Sequence, residues 1–153
     1  MRRTASTAAL AAVVVLLAGC GIPVDPDGTL DRVTGGDLRV GVSPHEGFTE
    51  VIGGEPSGPE VELVTEFAET LDAEPRWVVG GEEALVGELE TGELDLVIGG
   101  ITDASPWSQQ AGMTAPYREA PGPNGALEKR VMLVPLGENG FVVELERFLR
   151  AQQ

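Results

Sequence analysis

The stretch that decides the fold is Gly92–Tyr117, GELDLVIGGITDASPWSQQAGMTAPY. Within it, Leu94–Ile98 is a short, mostly apolar run of branched residues with glycines on both sides, which is typical of a buried β-strand. Gly99–Thr102, called the glycine turn below, follows at the carboxyl end of that strand and offers backbone amides and a hydroxyl. Small ligands bind at this end of the strands in open parallel α/β sheets. The stretch therefore predicts a buried strand that leads into a ligand-facing turn.

The residues on the amino-terminal side of this stretch alternate between strand and helix patterns. The predicted elements are a strand at Asp37–Ser43, a loop at Pro44–Gly58, a helix from Pro59, a strand at Arg76–Val79 and a helix at Glu82–Glu90. Ser57 and Glu60 have the spacing of a capping box at the start of the first helix. The β-α-β-α-β order implies right-handed crossovers and therefore a parallel sheet.

The same stretch resembles the extracytoplasmic solute-binding proteins of ABC importers, in the branch that mostly binds amino acids. Members of that family carry the frame Gly-x-x-Asp-x-x-x-x-Gly-x-Thr, then an arginine after a short spacing, and then Phe-Ser-x-Pro-Tyr. The matching positions here are Gly92, Asp95, Gly100, Thr102, Trp107, Met113, Thr114, Pro116 and Tyr117. The resemblance implies an α/β fold: a three-layer lobe of the type II periplasmic binding protein fold, with a mostly parallel sheet and flanking helices.

The family pattern breaks after Tyr117. Relatives cross there into a second lobe, whereas here only residues 118–128 intervene before Lys129–Pro135, which resembles the returning strand. Glu138–Arg150 has the apolar spacing of a closing helix. We therefore expect residues 37–153 to form a single solute-binding-protein-like lobe in which 118–128 is a short linker and the second lobe is missing.

The N-terminus has the pattern of a lipoprotein signal peptide over residues 1–20. Arg2 and Arg3 precede an apolar run at 8–18 that is shorter than the about 20 residues a spanning helix needs. The end of the run, LAGC, resembles a lipobox in which Cys20 would become the first mature residue and carry lipid. A plain secretory signal with an incidental Cys20 is the other interpretation. Residues 21–36 are largely polar and predict a flexible tether.

Composition narrows the function classes. A net charge of −15 argues against nucleic-acid binding, because phosphates would be repelled. The sequence has a single cysteine and a single histidine, His45, in a loop. It shows no lysine-containing phosphate loop, no metal-spaced cluster and no nucleophile elbow. We expect a non-enzymatic, extracytoplasmic protein without a cofactor.

The resemblance also names the candidate ligand-binding residues. Gly100 and Thr102 match the backbone and hydroxyl groups that grip a solute in the family, but Trp107 stands where relatives carry the arginine that binds an α-carboxylate. At the position where the family carries an aromatic residue early in the first helix, this chain has Pro59. At the position after the first strand, where relatives often carry an acid, it has Ser43. These departures argue against α-amino-acid binding.

Two aromatic side chains are open to two interpretations each. Trp107 could stack on a flat or cationic ligand, or it could simply cover the end of the sheet. The same alternatives hold for Phe48, in a loop where relatives often carry an aromatic residue.

Three functions remain open from sequence. The first is a lipid-anchored component of an ABC-type importer that presents a half-site for a small solute. The second is a degenerate lobe that acts as an interaction or regulatory module for a membrane permease, transporter or sensor. The third is a truncated pseudogene product.

Overall fold

The computed structural model describes residues 23–153, so the predicted signal peptide and Cys20 lie outside the described residues. The helices are α1 (Thr29–Val33), α2 (Pro59–Thr70), α3 (Glu82–Glu90) and α4 (Asn139–Ala151), with a 3-10 turn at Pro106–Gln109. The strands are β1 (Asp37–Val42), β2 (Glu50–Ile52), β3 (Glu55–Ser57), β4 (Glu74–Val79), β5 (Leu96–Ile98), β6 (Gly112–Met113), β7 (Arg118–Pro121), β8 (Leu127–Arg130) and β9 (Leu133–Val134).

A five-stranded sheet in the order β4-β1-β5-β9-β6 forms the centre of the lobe. Strand β1 is parallel to both β4 and β5, as the β-α-β-α-β order predicts. Strand β9 is antiparallel to β5 and to β6, so the sheet is mixed. The predicted single α/β lobe is confirmed, and its parallel half is the half that precedes the glycine turn.

The core lies on both faces of this sheet because successive strand residues point to opposite sides. Leu96 and Ile98 of β5 belong to the cluster that α2 and α4 cover, whereas Val97 belongs to the cluster that α3 covers. Phe67 of α2 and Phe141 of α4 meet edge to face in the first cluster, with ring centroids 5.8 Å apart. The result is three layers, with helices on either side of the sheet.

The prediction of a flexible tether over 21–36 is wrong for residues 23–36. Val33 of α1 is fully buried in the first core cluster. Asp25 accepts hydrogen bonds from the backbone N–H of Phe141 at 3.0 Å and of Leu30 at 3.1 Å, so it caps α4 from a distant part of the chain. Glu138 in turn accepts a hydrogen bond from the N–H of Thr29 at 2.8 Å. The polar composition of this segment reflects capping, not a lack of structure.

The predicted loop at 44–58 contains the antiparallel hairpin β2–β3, and the predicted capping box does not form. Gly58 is the N-cap of α2, and Ser57 Oγ donates to the carbonyl of Glu50 instead. Gly58 has φ 113°, and a Cβ there would lie 2.7 Å from the carbonyl oxygen of Phe48, so this close approach requires glycine. Glu60 is thereby free to point into the protein.

The linker predicted at 118–128 is part of an antiparallel hairpin formed by β7 and β8. After the hairpin the chain re-enters the central sheet at once, because Leu133 of β9 pairs with Val97 of β5. Residues 118–130 therefore form a hairpin, and the chain returns directly to the same sheet.

Candidate functional site

The glycine turn lies at the carboxyl ends of β1 and β5, where Ser43 N–H donates to the carbonyl of Ile98 at 2.9 Å. Gly100 has φ 62°, a left-handed conformation that favours glycine. A Cβ on Gly100 would lie 2.8 Å from the His45 ring and 3.0 Å from the Phe48 ring. The backbone of the turn is therefore covered closely by the loop that follows β1.

The carboxylate of Glu60 binds the amides of the glycine turn. Glu60 is 1% exposed and accepts hydrogen bonds from the N–H of Gly99 at 2.8 Å and of Gly100 at 3.0 Å. It also accepts a hydrogen bond from the hydroxyl of Tyr117. Two of the backbone donors that the sequence predicts for a solute are thus used by the protein itself.

Burial raises the pKa of Glu60, and the hydrogen bonds from Tyr117, Gly100 and Gly99 oppose that rise without cancelling it. Burial, followed by the charge of Glu60, raises the pKa of the Tyr117 hydroxyl. Tyr117 therefore acts as a neutral donor to Glu60. The capping-box spacing of Ser57 and Glu60 predicts a different role for this acid, so the sequence pattern does not reveal its contact with the glycine turn.

The carbonyl side of the turn is bound by Arg130 at the end of β8. Arg130 pairs with Thr102 in an isolated antiparallel bridge, and its Nη1 donates to the carbonyl oxygen of Gly100 at 2.5 Å. Its Nη2 donates to Glu128 at 3.0 Å, and its guanidinium carbon lies 4.6 Å from the centroid of the Phe48 ring. The sequence analysis assigned no role to Arg130, because nothing in the strand pattern separates it from its neighbours.

Phe48 lies beside the glycine turn, but its ring is 8% exposed. The edge of the ring meets His45 at a centroid distance of 5.4 Å, and one face is occupied by Arg130. The structure therefore brings Phe48, Gly100 and Thr102 together. A role for Phe48 in binding a ligand stays a prediction.

Trp107 lies in the 3-10 turn and is half-buried against the core cluster that α3 covers. Its Nε1–H donates to the carboxylate of Glu82, the first residue of α3. Both contacts favour the interpretation in which the indole covers the sheet, although a ligand contact is not tested by them.

A cavity of about 310 Å³ opens directly beside Thr102. It is lined by Thr102, Asp103, Ala104, Leu127, Glu128 and Lys129. Because Thr102 lines this cavity, its hydroxyl is within reach of a bound molecule. Of the predicted ligand-binding residues, Thr102 is the one that lines this cavity.

Asp95, which matches the family frame within the predicted strand, has a structural role. It is fully buried and binds Arg39 at 2.6 Å and Arg32 at 2.8 Å. Burial alone would raise the pKa of Asp95, but the hydrogen bonds from these two guanidinium groups outweigh it and lower the pKa. The ion pairs join α1 to β1 and β5 at the end of the sheet opposite the glycine turn.

Within residues 23–153, no group of three or more His, Cys, Asp or Glu side chains could hold a metal ion. In the same range, no helix combines the length and the apolar character that crossing a membrane requires.

Residues 38–151 match the model of the bacterial extracellular solute-binding proteins, family 3. The chain belongs to this family. The family's description places its members outside the cytoplasm. A search of curated proteins found no match.

Solved structures of binding proteins resemble the lobe. A point mutant of the arginine-bound form of domain 1 of the arginine-binding protein from T. maritima is 25% identical, with a TM-score of 0.71 over 80% of this chain and 97% of that chain. The arginine-bound form of the same domain 1 is 26% identical, with a TM-score of 0.67 over 76% and 93%.

An ancestral amino acid-binding protein, described as a precursor of cyclohexadienyl dehydratase, is 15% identical with a TM-score of 0.69 over 81% and 92%. This last likeness shows the fold alone. The first two show that the single lobe corresponds to domain 1 of that arginine-binding protein.

Proposed function

We propose that this protein is a lipid-anchored, extracytoplasmic solute-binding component of an ABC-type importer whose single lobe presents a half-site for a small solute. The observation that carries the proposal is the cavity of about 310 Å³ beside Thr102, at the end of the sheet where α/β folds bind ligands. Family membership supports the binding role. The proposal includes no catalysis, since the relatives named above are binding proteins.

The groups around the cavity favour a small polar solute that carries positive charge. The Thr102 hydroxyl can accept or donate a hydrogen bond, and the carboxylate of Asp103 can pair with an ammonium or guanidinium group, next to Glu128, which already binds Arg130. The isolated domain 1 of a relative carries arginine, which supports binding by one lobe. We expect weak affinity, because a half-site leaves one side of the solute in water.

The position of Trp107 argues that an α-carboxylate is not the main recognition group. Its indole donates to Glu82 and carries no charge, so it does not replace the arginine of the family frame. Among the residues that line the cavity, Lys129 carries the positive charge that a carboxylate would need, but its side chain is exposed on β8. We therefore expect diamines and agmatine to bind at least as well as α-amino acids.

Calorimetric titration of the chain lacking residues 1–20 against pooled amino acids, polyamines and organic acids tests the proposal. We expect a cationic pool to bind. Thr102→Val should weaken that binding by about fivefold to tenfold, because it removes one hydrogen bond to the solute. Thr65→Val, on the outer part of α2, is the matched control and should leave binding unchanged. Silence of every pool would contradict the proposal.

A second candidate is an interaction or regulatory module for a membrane transporter or sensor. It is favoured by the internal use of the glycine turn, whose amides bind Glu60 and whose Gly100 carbonyl binds Arg130. Ile52 and Leu127, in the two hairpins, are also 74% and 67% exposed. Recovery of a specific membrane partner, with a Trp107→Ala variant that changes thermal stability but no ligand response, would favour this candidate over the first.

A further inference from the structure

The guanidinium of Arg130 is buried in a compact set of contacts that the proposed solute site does not explain. The side chain is 3% exposed, although it belongs to a hairpin whose other residues are mostly exposed. It touches three different groups: the face of Phe48 at 4.6 Å, the carbonyl oxygen of Gly100 at 2.5 Å and the carboxylate of Glu128 at 3.0 Å. Backbone hydrogen bonds from Val131 to Ile101 and from Asp103 to Lys129 hold β8 in place beside the turn.

These three groups together have the chemistry that recognises a guanidinium ion. An aromatic face attracts a cation through its quadrupole, and the attraction is stronger when water is excluded. A carbonyl oxygen and a carboxylate accept the charged N–H groups in the plane of the guanidinium. Phe48 and the glycine turn are contributed by the β1–β5 end of the sheet, whereas the guanidinium arrives from the hairpin that replaces the second lobe.

One donor of the Arg130 side chain is buried at a cost in free energy, which indicates that the side chain occupies a binding site for its far end and is not packed optimally along its length. The Nε–H of Arg130 is buried and has no hydrogen-bond partner among the described residues. A buried donor without an acceptor costs free energy, which the aromatic, carbonyl and carboxylate contacts must offset. The attraction therefore resides in the end of the side chain, where a free guanidinium could make the same contacts.

We propose that Phe48, the Gly100 carbonyl and Glu128 form a guanidinium-binding site, and that the side chain of Arg130 occupies it as an intramolecular ligand. While Arg130 is in place, no free cation can reach the face of Phe48. A solute then has access only to the neighbouring cavity beside Thr102. This inference deepens the proposed function and rests on it for the place where a solute enters, but the occupied site can be tested without that solute.

The test is chemical rescue of an Arg130→Ala variant with ethylguanidinium, which reproduces the end of the missing side chain. Ethylurea is the matched control ligand, because it has nearly the same shape and no charge. We expect the variant to bind ethylguanidinium at least about tenfold more tightly than wild type does, and to gain thermal stability on binding. Ethylurea should produce neither effect. Adding Phe48→Leu to Arg130→Ala should remove about tenfold of the gained affinity.

Arg118→Ala is the matched control variant. Arg118 faces Arg130 in the register of the hairpin and is exposed, so its removal changes the charge equally without opening the site. We expect Arg118→Ala to bind ethylguanidinium no better than wild type. If Arg130→Ala does not fold alone, ethylguanidinium should restore its native circular dichroism and ethylurea should not.

The proposal is overturned if folded Arg130→Ala gains no affinity for ethylguanidinium over wild type and Arg118→Ala, or if an unfolded variant is not restored. Equal effects of ethylurea would also overturn it, because they would indicate only a filled cavity. Failure here is separable from failure of the proposed function. Binding of a pooled solute by wild type supports the function alone, whereas rescue without any solute binding supports the occupied site alone.

Discussion

At the scale of single residues, Glu60 joins several parts of the site. One buried carboxylate orders two consecutive amides of the glycine turn and the hydroxyl of Tyr117, and it links α2 to the end of β5. Its position depends on Gly58, which lets the chain approach Phe48 closely enough to direct the start of α2 inward. A side chain that the sequence pattern places in a capping box thus fixes the conformation of the turn.

Glu60→Gln should change how stability depends on pH. Because the pKa of Glu60 is raised in the folded state, the stability it contributes is fully present below its ordinary pKa of 4.5 and is lost as the pH rises through the raised pKa. Glutamine does not ionise, so the free energy of unfolding of wild type relative to Glu60→Gln should fall between that pH and neutrality. The fall should be about 1.4 kcal/mol for each unit by which the pKa is raised.

Denaturant unfolding of both proteins across this pH range measures the difference. Glu62→Gln, on the exposed side of the same helix, is the control and should run parallel to wild type. A difference between wild type and Glu60→Gln that stays constant with pH would contradict the assignment.

At the scale of elements, local sequence patterns were sufficient to predict a helix or strand when the residues at its two ends marked where it begins and ends. Helix α3 spans Glu82–Glu90 as predicted, because Gly81 and Gly92 flank it and acids begin it. Strand β1 follows the alternation of Leu38, Val40 and Val42. These two elements and β5 define the end of the sheet where the candidate site lies.

The elements that sequence missed are those whose partners are far away in the chain. The β7–β8 hairpin contains Pro121, Gly122, Pro123 and Gly125, a composition typical of a linker when strand pairing is unknown. Helix α1 is short and polar, and its place depends on Asp25 and Glu138, more than 100 residues apart. The role of Arg130 was missed for the same reason, since Phe48 and Gly100 come from distant segments.

Asp25→Ala should weaken the junction between α1 and α4. The change removes the acceptor for the N–H groups of Gly140 and Phe141 at the start of α4 and of Leu30 in α1. Loss of a capping acceptor costs about 0.5–2 kcal/mol of unfolding free energy. Hydrogen exchange should become faster at the amides of Gly140 and Phe141.

Asp31→Ala, on the exposed side of α1, is the control for this experiment and should change the free energy of unfolding by less than about 0.5 kcal/mol. Unchanged exchange at the start of α4 in Asp25→Ala would show that the cap is not formed in solution.

At the scale of the whole molecule, the proposal that the chain is anchored by lipid makes a separate prediction. The sequence contains one cysteine, so acylation through sulfur can occur only at Cys20. Cys20→Ala should move the protein from the membrane fraction to the supernatant, and the intact mass should lose the acyl groups. Membrane pelleting with mass spectrometry measures both. A wild-type protein that is recovered without acyl groups would favour the plain secretory interpretation.

The packing of residues 23–33 against α4 sets how far the lobe could move from such an anchor. The carbonyl of Val24, four residues after Cys20, accepts a hydrogen bond from the N–H of Asn139, so the chain is held in the fold from this residue onward. Four residues can reach at most roughly 14 Å. With so short a connection to the lipid, the lobe would stay against the headgroups. It would meet a permease by lateral diffusion in the plane of the bilayer, and not by diffusion through the space above it.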